Sequence, residues 1–248
     1  MCQKDPIIIR GSQNVAVNHM VIRDKKLQWL NAIICEGSLL FVPDADATHE
    51  RFFDARYIFV SGGRMEVGTE EFPYTSKITI TMHGAIDDPY LPIYGNKVIG
   101  VRFGTLDMHG VERSPVWTFL DQTAESSANT LTLAEEVDWQ VGEMIGVAPT
   151  GFKVDEAETR LITAVSADRR TITLDMPLSH KHFAEIQWFD DNFIDTRAEI
   201  GLLSRNVVYR GDPETSGPNE YGATIFLHSE GDDSLTCRLS YAEFSDVG

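Results

Sequence analysis

At 248 residues, with 42% hydrophobic and 10% aromatic residues, the chain is long enough for one large all-β domain or two smaller ones. Its 21 Lys and Arg stand against 38 Asp and Glu, a formal charge of -17. That charge repels polyanions, which argues against nucleic acid and almost as strongly against an anionic polysaccharide as partner. No apolar run approaches the roughly 18 residues of a membrane span.

The opening Met1-Cys2-Gln3-Lys4-Asp5-Pro6 has no apolar segment of the length a secretory signal needs, so a secreted parent would make this chain an internal or truncated piece. Strands are predicted at 7–10, 14–17 and 33–41, followed by a polar connection over 44–54, a strand at 57–60, the Gly62-Gly63 turn and a strand at 64–67. Residues 77–83 alternate, with Ile78, Ile80 and Met82 on one face and Thr79, Thr81 and His83 on the other. A strand over 98–101, a turn at Gly104 and a strand over 105–109 follow, and Met-His-Gly closes both this strand and the previous one. Residues 117–128 are the best candidate for a single helix of one or two turns. Residues 139–178 read as a β meander with strands near 144–148, 158–166 and 171–174, the last two joined by Asp168-Arg169-Arg170. Strands are predicted again at 206–209, 223–227 and 237–244, and the chain is expected to continue past Gly248 with more of the same structure.

From Gly37, Gly63 and Gly104 one pattern recurs: a glycine with apolar residues two and four places later, Leu39 and Phe41, Met65 and Val67, Leu106 and Met108. A glycine turn followed by strand-period alternation, repeated along the chain, is what stacked coils require, because a short strand can bury its inner face only against its neighbours. The predicted fold is all-β: a right-handed parallel β-helix with an inserted small β meander and at most one short helix. The predicted domains are glycine-turn coils over 6–137, the meander over 138–196 and the first coils of a C-terminal parallel β-helix over 197–248. Three cysteines, Cys2, Cys35 and Cys237, are too few for a disulfide scaffold and allow at most one bridge in an oxidising compartment.

The stretch from Gly62 through Glu70, with Pro73, is a double-glycine strand ending in Gly-Thr-Glu and a proline. Residues 78–84, Gly95-Asn96-Lys97, residues 104–110 and Trp117-Thr118 follow it. In this order and spacing the motifs resemble the G-eight domain family, found in fibrocystin-like receptors and in related cell-surface and secreted hyaluronidases. Trp139-Gln140-Val141-Gly142-Glu143 resembles the Trp-x-x-Gly-Asp/Glu element of the fibrocystin-like branch, and Pro177-Leu178 with His182 and residues 198–207 continue the likeness. There are departures: Phe103 stands where the family has a second glycine before Gly104, and Gly222-Ala223-Thr224 replaces a Gly-Gly-His-like element. Only residues 119–137 separate the Trp-Thr pair from Trp139, where the hyaluronidase branch inserts a further globular domain. The resemblance implies an extracellular or cell-surface setting within a longer chain.

Candidate chemistry is sparse, and no catalytic, cofactor-binding or metal residue is assigned. His83 and His109 end equivalent strands and would line a groove or hold a metal if adjacent; capping a strand is the plainer reading. His180 and His182 offer two legs of a zinc site without a third. Asp87-Asp88, Asp190-Asp191 with Asp195, and Asp232-Asp233 sit in loops and carry calcium as the one ion worth considering, although none fits a calcium loop. Arg205 and Asn206 read as polar residues serving a coil turn, and Trp117 and Trp139 as core rather than sugar-stacking platforms. Lys25-Lys26 and Arg169-Arg170 are the basic doublets. The preferred expectation is a non-catalytic extracellular module that binds a glycan or a protein; the alternative is an enzyme of the same family acting on an extracellular polysaccharide.

Overall fold

The computed structural model describes residues 7–10, 14–17, 30–44 and 50–248. Cys2 and Lys25-Lys26 lie outside the described residues. The chain forms two compact units, one from Met1–Val111 with Arg205–Gly248 and one from Glu112–Ser204. The described residues are nearly all β, with one short α-helix, Ser216–Asn219.

Among the described residues of the first unit every strand pairing is parallel. One sheet runs through Ile7–Ile9, Leu30–Cys35, Glu50–Ser61, Lys77–Met82, Val207–Gly211 and Ala242–Ser245, and also takes in Val98–Arg102 and Thr224–His228. A second stacks Asn14–Val17, Ser38–Phe41, Arg64–Val67, Thr105–His109 and Thr236–Ser240. The recurring glycine pattern maps onto this second sheet. Leu39, Met65 and Leu106 stand in register, as do Phe41, Val67 and Met108, and all six side chains are buried. Each such side chain contributes about 1.5–3 kcal/mol of burial that no strand could supply alone. The glycines before them stack as well: the Arg64 N–H donates to the Gly37 carbonyl at 2.8 Å and the Thr105 N–H to that of Gly63 at 3.0 Å. A methyl at Gly63 would stand 2.5 Å from the Cys35 carbonyl oxygen, so close approach of the backbones is what requires glycine there. Phe103, one position before Gly104 as Gly62 is before Gly63, takes φ 53 against 72 for Gly62. The left-handed turn is kept without its glycine, at a strain of about 1 kcal/mol.

Several sequence expectations change. The segment 33–41 divides into Leu30–Cys35 and Ser38–Phe41 at a bend on Glu36-Gly37, and 237–244 divides into Thr236–Ser240 and Ala242–Ser245. The polar connection expected over 44–54 instead contains the start of a strand, Glu50–Ser61, whose inner side chains Phe53, Ala55, Ile58 and Val60 are buried. Its charges face outward into pairs, Arg51 with Asp44 and Glu50 with Lys77, which is why its composition reads as loop. The inward parity switches between Ala55 and Ile58, where the partner changes from Lys77–Met82 to Val98–Arg102.

The second unit is antiparallel, ordered Trp117–Phe119, Glu199–Leu202, Met144–Val147, Glu158–Val165, Thr171–Leu174 and Thr130–Thr132. Its core gathers Trp139, Leu131, Leu133, Ile145, Ile162 and Ile172. A separate two-stranded ribbon joins Ile186–Phe189 to Asn192–Asp195. The helix expected over 117–128 is absent from that segment: it holds the edge strand Trp117–Phe119 and then turns, as its two threonines and lack of a helical apolar face favour.

Candidate functional site

Three clusters of ionisable side chains stand out. The first grows from the outward face of the parallel sheet, where side chains alternate away from the core. His83 follows Lys77–Met82, and its Nε2 lies 2.7 Å from Asp54 Oδ1 while its Nδ1 lies 3.4 Å from Asp212 Oδ2. Beside it Lys97 is fully buried, and Nζ donates to Thr215 Oγ1 at 3.1 Å, Ser216 Oγ at 3.0 Å and the Tyr221 carbonyl at 2.9 Å. Burial pushes the Lys97 amine below its usual range, opposed by Asp212 and Asp246. Thr215 Oγ1 bonds Asp212 Oδ2 at 3.1 Å, so lysine, hydroxyl, carboxylate and imidazole form one connected network. Lys97→Met should lower stability by about 2–3 kcal/mol in urea titration, because the Tyr221 carbonyl loses its donor; a change below about 0.5 kcal/mol would show the contacts to be idle.

A second cluster surrounds the buried Asp107, which Arg238 holds through Nε at 2.6 Å and Nη2 at 2.9 Å. Burial alone would raise the Asp107 carboxyl, but the Arg238 bonds and charge outweigh it and hold it below the usual range. His109 Nδ1 sits 2.8 Å from Ser240 Oγ. His83 and His109 therefore do not converge; each belongs to a different sheet with its own carboxylate.

In the second unit Glu158 is nearly enclosed. It accepts from the Ser179 N–H at 2.8 Å and the His180 N–H at 2.8 Å, faces His182 Nε2 at 3.2 Å, and pairs with Arg160. The imidazole of His182 is fully buried, with Nδ1 facing the Ala148 carbonyl at 2.9 Å. His180 lends Glu158 its backbone, so the two histidines do not act as paired ligands. Among the described residues no group of three or more His, Cys, Asp and Glu side chains converges as a metal site.

The remaining candidates are placed as follows. Asp88 sits 3.5 Å from Arg56 and accepts from the Ala85 N–H. Asp190 and Asp191 turn the ribbon, and Asp195 pairs with Arg197 at 2.7 Å. Asp232 accepts from the Ser234 N–H and hydroxyl, and Asp233 is exposed. The Arg205 N–H donates to Glu243, and Asn206 serves backbone, giving to the Tyr74 and Ser76 carbonyls and receiving from the Val111 N–H. Arg169 donates to the Val137 carbonyl. Cys35 is a buried free thiol raised by desolvation, and Cys237 is also free. Trp139 is core, with Nε1 donating to the Pro115 carbonyl at 2.7 Å. Trp117 is not: it is 49% exposed, because the opposite parity gives the buried position to Thr118. Asp107 and Glu158 were not singled out by sequence, and Lys97 entered only within the Gly95-Asn96-Lys97 motif, since single charged residues carry no local pattern.

Comparison with known proteins fits this arrangement. Residues 3–121 match the G8 domain family. The chain is 31% identical to fibrocystin-L of Mus musculus over 270 aligned residues, which take in 94% of this chain and 6% of that protein. It is 34% identical to fibrocystin-L of Homo sapiens over 264 residues, 92% of this chain and 6% of that protein. Fibrocystin of Mus musculus is 29% identical over 203 residues, 81% of this chain and 5% of that protein. The chain thus spans 6% of the length of the two fibrocystin-L proteins it matches. Because the similarity runs beyond the matched domain through most of the sequence, the chain belongs to the G8 domain family, in its fibrocystin-like branch.

Proposed function

We propose that this chain is a non-catalytic extracellular module of a larger fibrocystin-like surface protein, serving adhesion or ligand binding, with glycans among its ligands. The observation that carries the reading is the state of the buried carboxylates. Glu158 is engaged by the Ser179 and His180 N–H groups and Arg160, and Asp107 by Arg238 through two bonds, so neither buried carboxylate is presented to a substrate as a general acid. His83 has a carboxylate beside each ring nitrogen, which leaves neither directed at a reacting group. The similarity to fibrocystin-L over 94% of the chain supports the larger parent. In this reading the parallel strands of the first unit are coils of a right-handed parallel β-helix, and the antiparallel second unit is an insertion in the sequence between them; parallel in-register pairing supports it.

The competing reading is a polysaccharide-degrading enzyme of hyaluronidase type, and among the described residues the grouping of Asp54, His83 and Asp212 is what favours it. Incubation with size-defined hyaluronan, with and without calcium, separates the two. Polymer of unchanged length on size-exclusion chromatography is expected; shortened polymer whose appearance depends on Asp54 and Asp212 would establish the enzyme.

A further inference from the structure

The second unit carries an aromatic surface that its own packing leaves uncovered. The ribbon of Ile186–Phe189 and Asn192–Asp195 pairs with no other strand among the described residues. Such a ribbon is marginal in water on its own. It nevertheless presents Trp188 at 68% and Phe193 at 58% exposure, their ring centroids 5.2 Å apart. The ladder continues below the ribbon, because the Thr196 N–H donates to the Glu185 carbonyl at 3.0 Å and the Ala198 N–H to that of Phe183 at 2.7 Å. The same chain then runs as Glu199–Leu202 beside Trp117–Phe119.

Directly opposed residues in an antiparallel ladder share a face, and so do alternate residues along a strand. Phe193, Asp195, Arg197, Glu199 and Gly201 therefore lie along one face, with Trp188 opposite Phe193, Phe119 opposite Glu199 and Trp117 opposite Gly201. From Phe193 to Gly201 this strip extends roughly 27 Å at the rise of an extended chain. Its middle is polar and fixed. The Arg197 guanidinium lies 4.4 Å over the Phe119 ring and grips Asp195 through Nε and Nη2, at 3.0 and 2.7 Å to its nearest oxygens. Trp117 meets Phe119 edge-on at 5.2 Å, and beside it Gly201 has no atom within 4 Å of where a methyl would stand, which leaves an open shelf.

Exposed rings at both ends of a strip, with hydrogen-bonding side chains between them, match a chain of sugar rings, whose flat C–H faces stack on aromatics and whose edges carry hydroxyls. A protein-docking patch would instead bring its apolar side chains together at the centre. Charge selects among glycans: residues 183–196 hold Glu185, Asp190, Asp191 and Asp195 and no Lys or Arg. Glu199 adds a further carboxylate beside Phe119. An anionic polymer is repelled at the ribbon end.

We propose that this strip binds an unbranched, neutral, β-linked polysaccharide, with sugar rings on Trp188 with Phe193 and on Trp117, and hydroxyls bonded to Arg197 and Asp195. The proposal rests on the binding-module reading above and names its ligand class and surface. Isothermal titration calorimetry of the whole chain with cellohexaose, chitohexaose and a hyaluronan hexasaccharide tests it. At least one neutral oligosaccharide should bind, Trp188→Ala and Trp117→Ala should each weaken it about tenfold with the melting temperature unchanged, and hyaluronan should bind more weakly. Phe193→Ala, on the same exposed ribbon, guards against a single poorly folded variant. No heat with either neutral sugar, affinity unmoved by the tryptophan changes, or a preference for hyaluronan would overturn the proposal while leaving the module reading intact. New reducing ends in the same samples would instead overturn the module reading. Self-association that Trp188→Ala abolishes, seen by sedimentation, would make the ribbon a protein contact and also refute the glycan assignment.

Discussion

Gly68→Ala is expected to destabilise the protein by more than about 4 kcal/mol, enough to abolish cooperative folding of a marginally stable domain. Gly68 closes the strand Arg64–Val67 with φ +73, and a methyl there would stand 2.3 Å from the Tyr74 nitrogen and 2.7 Å from the His109 carbonyl oxygen. Those two atoms are the donor and acceptor of one 2.8 Å hydrogen bond, so the methyl would wedge it open and strain the backbone together. Gly142→Ala is the matched control, because Gly142 has φ +89 but open space around it. Backbone strain alone should cost it about 1–2 kcal/mol. Urea titration of the two variants compares them, and equal losses would show that close approach at Gly68 is not what the fold requires.

The second large effect concerns acid. Burial alone would push the Glu158 carboxyl up, but the backbone N–H groups of Ser179 and His180, then His182 and Arg160, outweigh it and hold it at about 2, against 4.5 for the free group. Because the folded value lies below the unfolded one, the stabilisation is complete above the unfolded value and is lost as pH falls from about 4.5 toward 2. The shift corresponds to about 3 kcal/mol. Glu158→Gln should therefore lose about 3 kcal/mol at neutral pH, since Arg160 is left without its carboxylate, and the variant should show a flatter stability profile between pH 5 and 2. Urea titrations across that range measure both effects; a variant as acid-sensitive as the parent would place the acid response elsewhere.

What was legible in the sequence is what repeats locally. Leu39, Met65 and Leu106 are placed by a glycine two residues earlier, and the same spacing sets their register in the sheet. The first half of Glu50–Ser61, ahead of the predicted strand at 57–60, escaped notice because its buried residues are interleaved with charges whose partners lie elsewhere in the sequence, as Lys77 and His83 do. Trp117 was misjudged because three residues of an edge strand do not reveal which parity faces inward. The ionisable clusters were invisible for a different reason. The acceptors of Lys97 lie 118 to 124 residues further on, and the nearest donors to Glu158 outside its own strand lie 21 to 24 residues on. Such pairs are fixed by topology and not by spacing.

The proposed function has two halves, that this chain binds glycan and that it leaves the glycan intact. A proton NMR time course of chitohexaose with the chain reports both halves at once. Saturation transferred from the protein to the sugar ring protons, with reducing-end anomeric signals unchanged over the incubation, is the predicted result. Growth of new anomeric signals, at a rate proportional to protein, would contradict it.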